Sequence, residues 1–90
     1  MTTLFSVSGK IAVVTGGTGA LGSVMCKTLA KAGATVIVMA RNAERAKQVA
    51  DDIIAEGGQA MSISCDVLDA DALKVATQEI LAQYGRIDIL

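Results

Sequence analysis

A chain of 90 residues, 52% of them hydrophobic, can build one small core, and its length leaves no room for a second independent domain. Its net charge of −1, with Lys and Arg scattered among Asp and Glu, offers no field for a nucleic-acid backbone, and 2% aromatic content removes the stacking platforms that single-strand binders use. The first eight residues have no basic start, and no apolar run reaches the length of a membrane span, so the expected setting is the cytoplasm, with neither nucleic acid nor membrane as a partner.

The run Ile11-Ala12-Val13-Val14 reads as a first strand. Directly after it comes Thr15-Gly16-Gly17-Thr18-Gly19-Ala20-Leu21-Gly22, which leads into helical periodicity. Strand, glycine turn and helix start, with the spacing Gly17-x-Gly19-x-x-Gly22, form the dinucleotide fingerprint. Unpaired N–H groups and the positive end of a helix dipole face a phosphate there, and glycines let it approach the backbone. A tight turn without a ligand is the alternative reading.

Leu21, Val24, Met25, Thr28, Leu29 and Ala32 fall at helical spacing and predict the buried stripe of a first helix, which Gly33 ends. Thr35-Val36-Ile37-Val38-Met39-Ala40 is apolar almost without alternation, as expected of a parallel strand covered on both faces. Ala46, Val49, Ala50, Ile53, Ile54 and Gly57 predict the buried side of a second helix, stopped by Gly57-Gly58. A third strand is expected over Met61-Ser62-Ile63-Ser64-Cys65.

Asp69 is placed to cap a third helix, whose predicted stripe is Leu73, Ala76, Thr77, Ile80, Leu81 and Tyr84 and whose stop is Gly85. Ile87-Asp88-Ile89-Leu90 begins a fourth strand, within which the sequence ends. Alternating strands and helices with short connections predict an α/β, Rossmann-type doubly wound parallel sheet of order 3-2-1-4, with a ligand outside the carboxyl ends of the strands.

Cys26 and Cys65 are expected as free buried thiols. With no histidine and two separated cysteines, no metal site is expected. Asp51 and Asp52 read as a solvated helix face.

Taken together, Gly9-Lys10 with the first strand, the glycine turn, Ala40-Arg41-Asn42, Cys65-Asp66-Val67 and Tyr84-Gly85-Arg86-Ile87-Asp88-Ile89-Leu90 resemble the short-chain dehydrogenase/reductase family in order and spacing. The resemblance covers essentially the whole chain. It puts the family's phosphate turn on Thr15, Gly16, Ala20 and Gly22, with Ala20 replacing the middle glycine. The same octapeptide also fits the Thr-Gly-x-x-Gly-x-x-Gly turn of the longer, sugar-nucleotide branch. Gly9-Lys10 and the ending from Tyr84 to Leu90 favour the short, single-domain branch.

Where the family commonly carries an acid for the adenosine ribose of NAD, this chain has Ala40 followed by Arg41, which favours NADP over NAD through a guanidinium on the 2′-phosphate. The plain alternative for Arg41 is a solvated residue ahead of the second helix. Asn42 is carried along as its neighbour at the cofactor. By resemblance, Asp66 accepts from the adenine amino group and the Val67 amide completes that edge, against a capping or turn role for the aspartate.

The family transfers hydride between a nicotinamide and a small carbonyl or alcohol, using a serine, a tyrosine and a lysine four residues after the tyrosine. Tyr84 is followed at that distance by Asp88, so no catalytic residue is assigned within these 90 residues. The resemblance therefore implies the cofactor-binding part of an NADP-preferring reductase, inactive alone, whose intact form is a homo-oligomer acting on a small molecule. Within the family the chain looks most like sugar-acid oxidoreductases acting on mannonate. An acyl-carrier-linked ketoreductase and a non-catalytic NADP(H)-binding module are the alternatives. Ending inside a strand, with helices missing from one face, the isolated chain is expected to be marginally stable or to self-associate.

Overall fold

A computed structural model describes residues 9–15, 20–66 and 68–87, with Ala20 and Leu21 described through their backbone alone. Three parallel strands, β1 (Ile11–Thr15), β2 (Thr35–Ala40) and β3 (Gln59–Ser64), alternate with three helices, α1 (Ala20–Lys31), α2 (Ala43–Ala55) and α3 (Ala70–Tyr84). The sheet runs β1-β2-β3, with Ile11 beside Thr35 and Thr35 beside Gln59. This is the expected 3-2-1 portion of a Rossmann-type sheet. The expected fourth strand falls on Asp88, Ile89 and Leu90, outside the described residues.

Every residue of β2 is buried, because alternate side chains serve two separate cores. Val36, Val38 and Ala40 join Ala12 from β1 under α1 and α2, packing on Cys26, Ala46, Val49, Ala50 and Ile53. Ile37 and Met39 point the other way, with Ile11, Val13 and Ile63, onto Ala76 and Ile80 of α3. A strand apolar at every position after its first threonine is thus the sequence form of a sheet covered on both faces.

The helix stops fall where their residues predict them. Gly33, Gly57 and Gly85 hold positive φ of 101°, 89° and 81°, a region that costs an L side chain steric strain. Gly85 also donates its N–H to the Leu81 carbonyl at 2.8 Å, closing α3. At the other end of that helix, Asp69 accepts from the N–H groups of Asp71 and Ala72 and so caps it.

Three expectations are corrected. On α1, Val24 and Met25 lie 59% and 50% exposed, Thr28 is exposed too, and the buried line runs through Cys26 with Leu29 and Ala30 behind it. The helix rests on the sheet through the small Cys26 side chain, and residue volume selects the face where hydrophobicity alone does not. Ile54 on α2 and Leu81 on α3 are likewise exposed, each standing one position past the residue that fills the core, Ile53 and Ile80. The third strand starts at Gln59 rather than Met61, because Gln59 pairs with Thr35 in the ladder and accepts the Thr35 hydroxyl at 2.9 Å.

Both cysteines are free and buried. Among the described residues, no helix is long and apolar enough to cross a membrane.

Candidate cofactor-binding site

The parallel register carries Thr15, Arg41 and Asp66 to one edge of the sheet. Thr15 stands beside Met39, Met39 beside Ile63 and Ala40 beside Ser64, so the chain leaves all three strands at the same level. α1 starts at Ala20, five residues after Thr15 ends β1, and its N-terminal amides open on that edge. The first turn of α1 carries no acidic side chain, in contrast to Glu44 on α2 and Asp71 on α3. Gly22 lies in that turn and is half-buried. Gly16, Gly17, Thr18 and Gly19 of the fingerprint, and Val67, lie outside the described residues, as do the side chains of Ala20 and Leu21.

Backbone and side-chain hydrogen bonds from the end of β3 lock the start of the loop after β2. Cys65 donates its N–H to the Ala40 carbonyl at 2.9 Å, and the Ser64 hydroxyl donates to the Arg41 carbonyl at 3.2 Å. Asn42 then caps α2, its Oδ1 accepting from the Arg45 N–H at 3.1 Å. Arg41 is consequently fixed at its backbone while its side chain remains 79% exposed.

Asp66 is shared between two tasks. Its Oδ1 accepts from the Leu68 N–H at 3.0 Å, the Asx-turn role that its residue type favours. Its Oδ2 faces the Arg41 Nε at 3.9 Å. The turn reading of Asp66 is thus met by Oδ1, while Oδ2 lies toward Arg41. Asn42, grouped with the cofactor residues by position, spends its side-chain oxygen on the helix cap.

Ser64 is the residue that sequence reasoning missed. A serine closing a strand gives no signal of its own, since its hydroxyl acts on Arg41 only through the β2–β3 register. Cys26 is outside the site: burial between α1 and the sheet pushes its thiol upward in pKa, only partly opposed by a backbone hydrogen bond, which leaves it protonated near neutrality. Tyr84 is half-buried, packed on the α3 side of the sheet with Leu73 and Ile87.

The family model described as short chain dehydrogenase matches residues 10–90. The chain belongs to the short-chain dehydrogenase family. An uncharacterized oxidoreductase, UxuB, of Bacillus subtilis is 42% identical over 85 residues, which are 94% of this chain and 31% of that protein. Among solved short-chain dehydrogenase folds, a metagenomic short-chain oxidoreductase in complex with NADP superimposes with a TM-score of 0.90 at 38% identity, covering 96% of this chain and 39% of the other. A provisionally designated D-mannonate oxidoreductase from Haemophilus influenza, with bound NAD, superimposes at 0.88 and 30% identity over 92% of this chain and 30% of its own. This short-chain dehydrogenase sequence thus spans between three and four tenths of the length of these relatives. Of these two solved structures, one holds NADP and the other NAD.

Proposed function

We propose that these residues form the dinucleotide-binding part of an oxidoreductase that prefers NADP and acts on a small carbonyl or alcohol of the sugar-acid class. Thr15 to Gly22 holds the pyrophosphate, Arg41 the 2′-phosphate, and Asp66 with the Val67 amide the adenine edge. The observation that carries this reading is the meeting of Arg41 and Asp66, 3.9 Å apart, on the sheet edge where α1 begins.

The donor set suits the group. A helix start without a carboxylate suits a pyrophosphate. A guanidinium on a fixed backbone suits a phosphomonoester, which it can meet with two parallel hydrogen bonds. A carboxylate with one oxygen committed to its own turn keeps the other for an amino donor. The bound cofactor would supply or accept the hydride. The chain's own part is to hold and orient the adenosine end, and Tyr84, half-buried and followed four residues later by Asp88, offers no acid/base pair for the reaction. The 90 residues alone therefore bind without turnover. The sugar-acid class draws its support from the D-mannonate-type structural relative.

Titration with NADPH and NADH tests the cofactor assignment. NADPH should bind more tightly, and Arg41→Ala should weaken NADPH by about tenfold or more while leaving NADH nearly unchanged, the size of one lost charged hydrogen-bonding group. Tighter binding of NADH, or no loss in Arg41→Ala, contradicts it. Reading the coding sequence past codon 90 tests the enzyme assignment: Asn-Asn-Ala-Gly followed by Tyr-x-x-x-Lys supports it, and a stop codon there contradicts it.

A further inference from the structure

We infer that Asp66 sets how strongly this site prefers a 2′-phosphate, by acting as the intramolecular counter-charge of Arg41; this rests on the reading of Arg41 as the 2′-phosphate contact. The geometry leaves the pair poised for exchange. Arg41 is anchored through its carbonyl to Ser64 and through Ala40 to Cys65, so the base of its side chain cannot wander. Its guanidinium, by contrast, is held at 3.9 Å by one carboxylate oxygen and is 79% exposed. An exposed ion pair at that length is weak, and a ligand can replace it.

A phosphomonoester is the replacement that a guanidinium favours, since it carries more charge than a carboxylate and matches the planar fork. Asp66 cannot withdraw when this happens, because its Oδ1 is tied to the Leu68 N–H and its carbonyl to the Asp69 N–H. A phosphate that takes Arg41 therefore stands beside a fixed negative charge, and part of its attraction is cancelled. A cofactor with a free 2′-hydroxyl brings no such charge, and the Arg41–Asp66 pair persists beneath it. Asp66 thus moderates the preference for NADP and keeps the site open to NAD.

The ratio of NADH to NADPH dissociation constants isolates this effect, because the adenine contact of Asp66 is common to both ligands. In Asp66→Asn, where the charge is lost and Oδ1 can still accept from Leu68, the ratio should rise by about threefold, the range of a single half-exposed charge interaction. In Arg41→Ala it should fall toward one, and adding Asp66→Asn to that variant should not restore it. A ratio that collapses in Arg41→Ala but is unmoved or lowered in Asp66→Asn overturns the inference and leaves the proposed function standing. A ratio that Arg41→Ala does not change overturns both. Should the aspartate variant fold poorly, the wild-type Arg41 Nε–H resonance provides the second test. It should shift on adding NADPH and stay in place on adding NADH; equal shifts contradict the inference.

Discussion

The two ends of the sheet are built by different means. At the amino-terminal end, where β1, β2 and β3 begin, the four described glycines with positive φ (Gly9, Gly33, Gly57 and Gly85) turn the chain, and backbone bonds such as Thr35 N–H to the Lys10 carbonyl close the gaps. The Arg86 guanidinium adds a bond to the Gly9 carbonyl at 2.8 Å, tying the segment after α3 to the segment before β1. At the carboxyl end, polar side chains do the corresponding work: Asn42, Ser64, Asp66 and Asp69 satisfy loop and helix-start groups. The glycine turns at the amino-terminal end carry no side-chain donor or acceptor. Side-chain caps present oxygens and charges, and at Asp66 and Arg41 the same groups that shape the loop face solvent. The fold is secured at one end, and the groups proposed to meet the cofactor lie at the other.

Substitutions should divide along that line, with large stability costs toward the amino-terminal end and small ones at the site. The largest loss is expected from Ile53→Ala, which empties a fully buried position between α2 and the sheet and should cost about 2–5 kcal/mol in urea unfolding. A cost below about 1 kcal/mol would mean that this end is looser than described. Gly58→Ala comes next. An added Cβ would lie 2.8 Å from Ile53 Cγ2 and 3.2 Å from the Ile53 carbonyl oxygen, so overpacking should remove about 1–3 kcal/mol, and a neutral result would show that α2 can shift away from β3.

Asp69→Ala, at the carboxyl end, should cost about 1 kcal/mol through loss of the α3 cap. Arg41→Ala should cost least, below about 0.5 kcal/mol, because its ion pair is exposed. A thermal transition lowered as far by Arg41→Ala as by Gly58→Ala would erase the division between the two ends.

Much of this division is legible before any coordinates. Five consecutive apolar residues from Val36 to Ala40 announce a strand buried on both faces, and Asp69 and Gly85 mark the two ends of α3, because capping depends on local geometry that residue type dictates. The buried face of α1 is not legible in the same way. Its sequence holds two overlapping stripes, and the face carrying Val24 and Met25 loses to the one carrying the smaller Cys26 and Ala30, because close approach to the sheet needs small volume.

At the site, Arg41 and Asp66 each stand out by position after their strands. Their separation of 3.9 Å does not, since 24 intervening positions and the β2–β3 register decide it. The hold of Ser64 on the Arg41 carbonyl is hidden for the same reason.

The central claim is that an adenine dinucleotide binds at the carboxyl end of the sheet. Backbone amide shifts followed during NADPH titration of the isotopically labelled chain test it most directly. The account predicts saturable shifts at Thr15, Gly22, Arg41 and Asp66, with Gly33, Gly57 and Gly85 at the opposite end unmoved. Shifts confined to those three glycines, or none at any of these positions at millimolar NADPH, would contradict it.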